Sequence, residues 1–167
     1  PDSSRCHRKA HKEIMYYMDP KPLAKMLHEL KINPEAELVN MSSPKWKHQE
    51  MYIRAKAFKS EMQYDFIQWP HPNRFNDPWR QGYLFCKPEG TIVGACSFVR
   101  EGKEDQPYWT LDWVWVAPKE RRKGHLRNRW KIFKQKFGDF HLSHPVSDAM
   151  RSFVIHQGDG FLLAPST

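Results

Sequence analysis

Apolar positions in this chain change their spacing from helical to strand-like and back. Leu23, Met26, Leu27 and Leu30 recur at the interval of one helix face, so a short amphipathic helix is predicted over residues 20–31, opened by Pro20 and Pro22. Met51, Ala55, Phe58 and Met62 predict a second helix over residues 45–62, reached through a polar linker, Asn40–Pro44. Tyr64 and Phe66 alternate with Asp65, which predicts a strand over residues 63–69. The stretch WPHPNRFNDPW (69–79) has too many prolines and asparagines for a regular element and is expected as a packed covering loop. QGYLFC (81–86) and TIVGACSFV (91–99) flank the turn Lys87-Pro88-Glu89-Gly90 and predict a hairpin. A polar connector, 100–107, leads to an apolar strand at 108–116. Leu126, Trp130, Phe133 and Phe137 then mark the inner face of a helix at about 124–137. Phe140–Ser143 predicts a short strand, and 147–157 a helix that begins at Pro145 or Ser147 and ends at Gly158 and Gly160. Phe161-Leu162-Leu163 predicts a last strand.

Antiparallel strands come first and a strand–helix–strand unit comes last. The expected fold class is α+β, with a single mixed, mostly antiparallel central sheet flanked by helices. A length of 167 residues suits one domain, placed at 20–167. Residues 1–19 are expected as a basic N-terminal arm, with 1–13 a loose polar segment. No apolar run is long enough for a membrane span, and no signal peptide is visible. Cys6, Cys86 and Cys96 are an odd, widely spaced set, so reduced thiols and an intracellular location, cytoplasmic or nuclear, are the default expectation. Cys6, His7 and His11 lack the second clustered pair of a zinc finger, and no metal site is expected. A formal charge of +8 calls for an anionic partner: a nucleotide cofactor, a nucleic acid or an acidic protein.

The chemistry concentrates in TLDWVWVAPKERRKGHL, residues 110–126. A strand breaks at Ala117-Pro118 and passes through a basic turn, Glu120-Arg121-Arg122-Lys123-Gly124, into a helix. The first N–H groups of a helix have no intrahelical acceptor, and its dipole favours negative charge there, so this turn is a socket for phosphate. The lysine-serine ending of a nucleoside-triphosphate loop is missing. Asp112 interrupts the strand between Leu111 and Trp113, where acids are depleted, and is a candidate base. An aspartate at a sheet edge or paired with an arginine is the competing explanation.

This element order, with Arg121-Arg122-Lys123-Gly124-His125-Leu126 at the head of the central helix, resembles the GCN5-related N-acetyltransferase (GNAT) superfamily. The superfamily's pyrophosphate loop reads Arg or Gln, two residues, Gly, one residue, then Gly or Ala. Arg121 and Gly124 match, and Leu126 replaces the final small residue. Within that fold, residues 80–164 are loosely similar to the cohesin acetyltransferases. The likeness rests on Trp115-Val116 before the double arginine, Leu142-Ser143-His144-Pro145, Asp148, and Phe161-Leu162-Leu163. Their zinc finger has no counterpart in this sequence, and His144 stands where they carry an aspartate.

The resemblance implies an acetyl-coenzyme A-dependent N-acetyltransferase. Its pyrophosphate would be held by the loop at Arg121, Arg122, Lys123, Gly124, His125 and Leu126, and its thioester beside the backbone of Val114 and Val116. Ser147 is a further cofactor candidate, with helix capping as its competing role. Asp112 and His144 are the catalytic candidates, either able to take the acceptor's proton near neutral pH. Arg127, Arg129 and Lys131 are candidates for the cofactor's 3′-phosphate. The acceptor amine is expected on a protein or peptide, first of all a lysine. A nucleic-acid-borne amine, on an aminoacyl-tRNA or a base, remains open on charge. So does a non-catalytic nucleic-acid-binding domain in which residues 121–131 contact phosphates and the aromatics of 69–79 stack on bases. The oligomeric state is unreadable from one chain.

Overall fold

The computed structural model describes residues 3–158 together with 162 and 163. Its elements in chain order are α1 (Ser3–Met18), α2 (Ala24–Ile32), β1 (Leu38–Val39), α3 (Lys45–Met62), β2 (Arg80–Cys86), β3 (Ile92–Lys103) and β4 (Gln106–Val116). After a 3-10 turn, Pro118–Glu120, follow α4 (His125–Phe137), β5 (His141–Leu142), α5 (Asp148–His156) and β6 (Leu162–Leu163). The strands form one sheet in the order β1-β2-β3-β4-β5-β6. The first four pair antiparallel, and β4, β5 and β6 pair parallel. The mixed, mostly antiparallel sheet expected from the hydrophobic pattern is therefore present.

Both faces of the sheet are covered, which is why β3 is buried without interruption from Ile92 to Phe98. On one face α3 packs with Met51 and Ala55 against Leu84, Trp113 and Trp115, with Trp69 beside them. On the other, Trp130, Phe133 and Phe137 of α4 meet Tyr83, Phe85, Phe98 and Leu111. Phe98 and Phe137 stack with centroids 4.1 Å apart, a contact of about 0.5–1.5 kcal/mol beyond area burial.

Four expectations are corrected. The start of the chain is not a loose arm: residues 3–18 form α1. The run has no Pro or Gly, and its C-terminal half is anchored on α3 by Tyr16 to Glu50, 2.6 Å, and by the Glu13–Lys56 ion pair. Residues 63–69 are not a strand. Gln63 ends α3 in the left-handed region, φ 57°, the Tyr64 N–H closes on Lys59 O, and among the described residues no strand pairs with this segment. Phe66 is accordingly 63% exposed. The connector 100–107 is instead the outer part of a hairpin, paired from Arg100↔Trp109 to Lys103↔Gln106. Ladder hydrogen bonds need only backbone, so polar residues extend the strands beyond the core. Finally, β1 was not anticipated, since two residues carry no period. The loop 69–79 is the packed cover expected, with Trp69 and Phe75 ring centroids 5.0 Å apart and His48 stacked on Trp69 and tilted against Phe75. Gly160 and Phe161 lie outside the described residues.

Candidate active site

The site is made by two strands that part. β5 pairs with β4 only through Thr110↔His141 and Leu111↔Leu142, and the Ser143 N–H closes on Leu111 O at 3.1 Å. Beyond that point β5 turns away through a cis His144–Pro145 bond into α5. β4 continues alone on that side to Val116. The gap is a cleft of about 70 Å³. Phe58, Met62 and Tyr64 wall one end, Asp112 and Val114 line the strand, and Ser143, Val146 and Met150 close the far side.

A bulge sets the chemistry of the strand. Ser97 pairs with Trp113 and Phe98 with Leu111, so Asp112 has no partner opposite. A bulged residue bends its strand and re-aims its own side chain. The bulge also decides where the N–H groups point. The Ala117 N–H donates to Val93 O, 2.8 Å, on the β3 side, while Val116 O accepts from Arg121 on the other. Because neighbouring residues of a strand face opposite sides, the N–H groups of Val116 and Val114 face the cleft.

Asp112 is 17% exposed and lies 3.3 Å from an Arg80 nitrogen, with Asp77 also holding that arginine at 3.3 Å. Burial pushes the Asp112 carboxyl up to about 6, and the Arg80 guanidinium only partly opposes this. The competing expectation of an arginine partner is thus also met, without cancelling the shift. Tyr64 shares the cleft, and its phenol is raised by burial and then by the Asp112 charge.

The turn into α4 is clamped at both flanks. Arg121 donates to Val116 O at 2.8 Å and forks onto Glu61 with two bonds of 2.7 Å. Glu120 accepts from Lys87 at 2.5 Å and lies 3.0 Å from His125. Burial alone would raise the Glu120 carboxyl, but Lys87 and His125 outweigh it and hold it below the usual range. Between the clamps, Arg122 and Gly124 take left-handed backbone, φ 63° and 85°. Alternating hands of this kind turn successive N–H groups into one concavity for an anion. The N–H groups of His125, Leu126 and Arg127 add the open end of α4, whose first internal bond is Asn128 N–H to Gly124 O, 2.8 Å. Lys123 and Arg122 are exposed around it. These residues fit a pyrophosphate, and the neighbouring strand edge fits an amide-bearing arm running into the cleft.

Asp112, Val114 and Ser147 thus come together in the cleft, while Val116 continues β4 beyond it and is tied through its carbonyl to Arg121 at the start of the turn. Ser147 also performs its competing role, capping α5 by accepting from the Met150 N–H at 3.1 Å. His144 does not join them: it is exposed and lines no part of the cleft. Arg129 is no surface phosphate ligand, because it is bound to Glu37 at 2.7 and 2.6 Å and to Cys86 O at 3.1 Å. Among the described residues no His, Cys, Asp and Glu cluster could hold a metal, and no helix is long and apolar enough to cross a membrane. Sequence reasoning missed Tyr64, Arg80 and Glu61. Each meets its partner across a long sequence separation, and no local pattern signals that.

Comparisons with known proteins bear on the fold and the family. The acetyltransferase (GNAT) family matches residues 38–127, more than half of the chain. A search of curated protein sequences finds no match. Among solved structures, the xEco2 acetyltransferase domain bound to a K105-CoA conjugate is similar with a TM-score of 0.59 at 16% identity, covering 78% of this chain and 92% of that one. A ribosomal-protein-alanine N-acetyltransferase from Brucella melitensis biovar Abortus 2308 is similar with a TM-score of 0.53 at 13% identity, covering 78% and 95%. At these identities the likeness concerns the fold. The match runs from β1 to the head of α4, and the chain belongs to the acetyltransferase (GNAT) family, whose acetyl donor is acetyl-coenzyme A.

Proposed function

We propose that this protein acetylates a primary amine on a protein, a lysine side chain in the first instance. The observation that carries the reading is Asp112: a buried carboxyl on a bulge, raised to about 6, beside strand N–H groups that face the same cleft. A base of that pKa is ionised at neutral pH yet still able to accept a proton from an ammonium group. The xEco2 neighbour, bound to a lysine–coenzyme A conjugate by its description, supports a lysine acceptor by analogy of fold.

Acetyl-coenzyme A, when bound, supplies the acetyl group as an activated thioester. The N–H groups of residues 122–126 would hold its pyrophosphate, with Arg122 and Lys123 adding positive charge. Arg121 acts through its clamp on Glu61 and Val116, fixing the loop. The Val114 and Val116 N–H groups orient the arm, and Val114 is the nearer donor to the end of the cleft that Asp112 occupies. Asp112 takes the proton from the acceptor ammonium through its carboxylate, and Arg80 keeps that carboxylate aimed. Tyr64 Oη, on the same cleft, holds a proton for the departing thiolate. His144 takes no part in this scheme.

The acceptor class is tested by measuring free thiol release with three acceptors offered separately: a lysine peptide with a blocked N-terminus, a peptide with only a free α-amine, and an aminoacyl-tRNA. The reading expects the first to be preferred. Preference for either of the others overturns the lysine assignment while leaving the acetyltransferase intact.

A further inference from the structure

The N-terminal half of α1 has no packing role within the chain. Tyr16 meets Glu50 and Glu13 meets Lys56, so α1 runs antiparallel to α3. From that anchor every residue from Ser3 to Lys12 is exposed. Arg5, Arg8, Lys9 and Lys12 stand at i, i+3, i+4 and i+7, which gathers them on one face. Among the described residues none of the four is ion-paired with a carboxylate, and no acidic residue occurs before Glu13 in the helix. The cations of α4 and its turn are mixed: Arg121, Lys123, Arg129 and Lys134 have acidic partners, while among the described residues Arg122, Arg127, Lys131 and Lys136 have none. Four cations held together on one face repel one another, and an anionic polymer relieves that repulsion.

We infer that the basic face of α1, carried by Arg5, Arg8, Lys9 and Lys12, docks this enzyme on double-stranded DNA through its phosphates. The chemistry of the face selects among polymers. Single strands are held by stacking on aromatics, and the exposed half of α1 has none, since Tyr16 and Tyr17 are engaged with Glu50 and Trp115. The aromatics of the 69–79 loop offer no series of stacking rings: Trp69 and Phe75 pack inward, and the half-exposed Trp79 carries Arg100 over its ring at 4.2 Å. A membrane surface would need bulky apolar residues opposite the cations; this half offers Cys6 and Ala10, and the exposed Ile14 and Met15 lie beyond it, beside the α3 anchor. A ten-residue overhang is about 15 Å long, enough to cross the B-form major groove of about 12 Å, whereas the A-form groove of duplex RNA is too narrow. The docking is independent of which amine is acetylated.

The test measures anisotropy of a labelled DNA duplex of arbitrary sequence, with the full chain and saturating coenzyme A so that the α4 turn is occupied. The wild type is expected to bind with a steep salt dependence. Reversing all four charges (R5E, R8E, K9E and K12E together) removes up to about 3.6 from the log–log slope, so the wild type loses on the order of 10²-fold more affinity than the variant between about 50 and 200 mM salt. Thiol release with a small amine is expected to be the same in both. If helicity by circular dichroism shows that this variant has lost α1, the milder Arg5→Gln, Lys9→Gln pair replaces it, with about half the slope change expected. The inference is overturned if the wild type does not bind the duplex, if the variants bind it equally, or if duplex RNA, polyglutamate or anionic vesicles bind more tightly than DNA through the same residues.

Discussion

Replacing Asp112 by asparagine keeps the shape of the side chain and removes its charge. Two effects follow, and they have opposite signs. The native structure raises this carboxyl from 3.8 to about 6, so folding favours its protonated form. The stabilisation attached to that proton is complete below pH 3.8 and is lost as pH rises through about 6. Above that pH the wild type carries a penalty of about 3 kcal/mol at most. Asparagine escapes this penalty, which is already net of the Arg80 attraction, but buries an amide in its place, and Arg80 keeps Asp77 at 3.3 Å. A net gain on the order of 1–2 kcal/mol is expected at pH 8, seen as a melting temperature higher by roughly 2–8 °C. At pH 4 the gain disappears. Catalysis moves the other way. Wild-type kcat/KM should climb with pH through about 6 as Asp112 loses its proton. The asparagine variant should be slower by about 10²–10⁴-fold, with that limb of the profile gone. Melting and initial-rate profiles on the same preparations read both effects. A variant that keeps wild-type rate and acid limb, or that is no more stable at pH 8 than at pH 4 relative to wild type, refutes the reasoning.

Three further outcomes follow. Arg54 is 1% exposed, bonded to Glu50 at 2.6 Å and to Ile92 O at 3.2 Å, so Arg54→Ala leaves a buried carboxylate without its cation and should cost about 3–5 kcal/mol in a denaturant titration. Ser147→Ala removes the α5 cap and should cost about 1 kcal/mol, with a smaller change in turnover than Asp112→Asn if capping is its main task. Arg121→Ala should raise KM for acetyl-coenzyme A while moving the melting temperature little, because its exposed pair with Glu61 is worth only about 0–1 kcal/mol to stability.

The sequence was most legible where a period runs long. The face of α4 and the helix α3 could be read directly, because Trp130, Phe133 and Phe137 and Met51 and Ala55 repeat over several turns. Short or polar elements were not. β1 has two residues, and the outer hairpin is held by backbone bonds that side-chain patterns do not report. α1 was misread because its polarity looked like disorder, while its anchors, Glu50 and Lys56, lie far along the chain. In the site, Asp112 stood out as an acid among apolar strand residues, and the turn 121–126 as a glycine flanked by cations. Arg80, Glu61 and Tyr64 gave no such contrast, since nothing in their neighbourhood is unusual until the fold brings them to the cleft. His144 illustrates the converse: a plausible residue type at a plausible position, carried away from the cleft by the turn that follows β5.

The central claim is that the turn before α4 and the open edge of β4 form one acyl-coenzyme A site. Calorimetric titration of coenzyme A into the wild type and into Gly124→Glu tests it most directly. Gly124 has φ 85°, and an added Cβ would lie 3.1 Å from the Arg127 guanidinium, with a carboxylate then projecting towards the N–H groups. The account predicts a single site in the wild type and no measurable binding in the variant, with both proteins folded. A wild type that takes up no coenzyme A, or a Gly124→Glu variant that binds it equally well, contradicts the account.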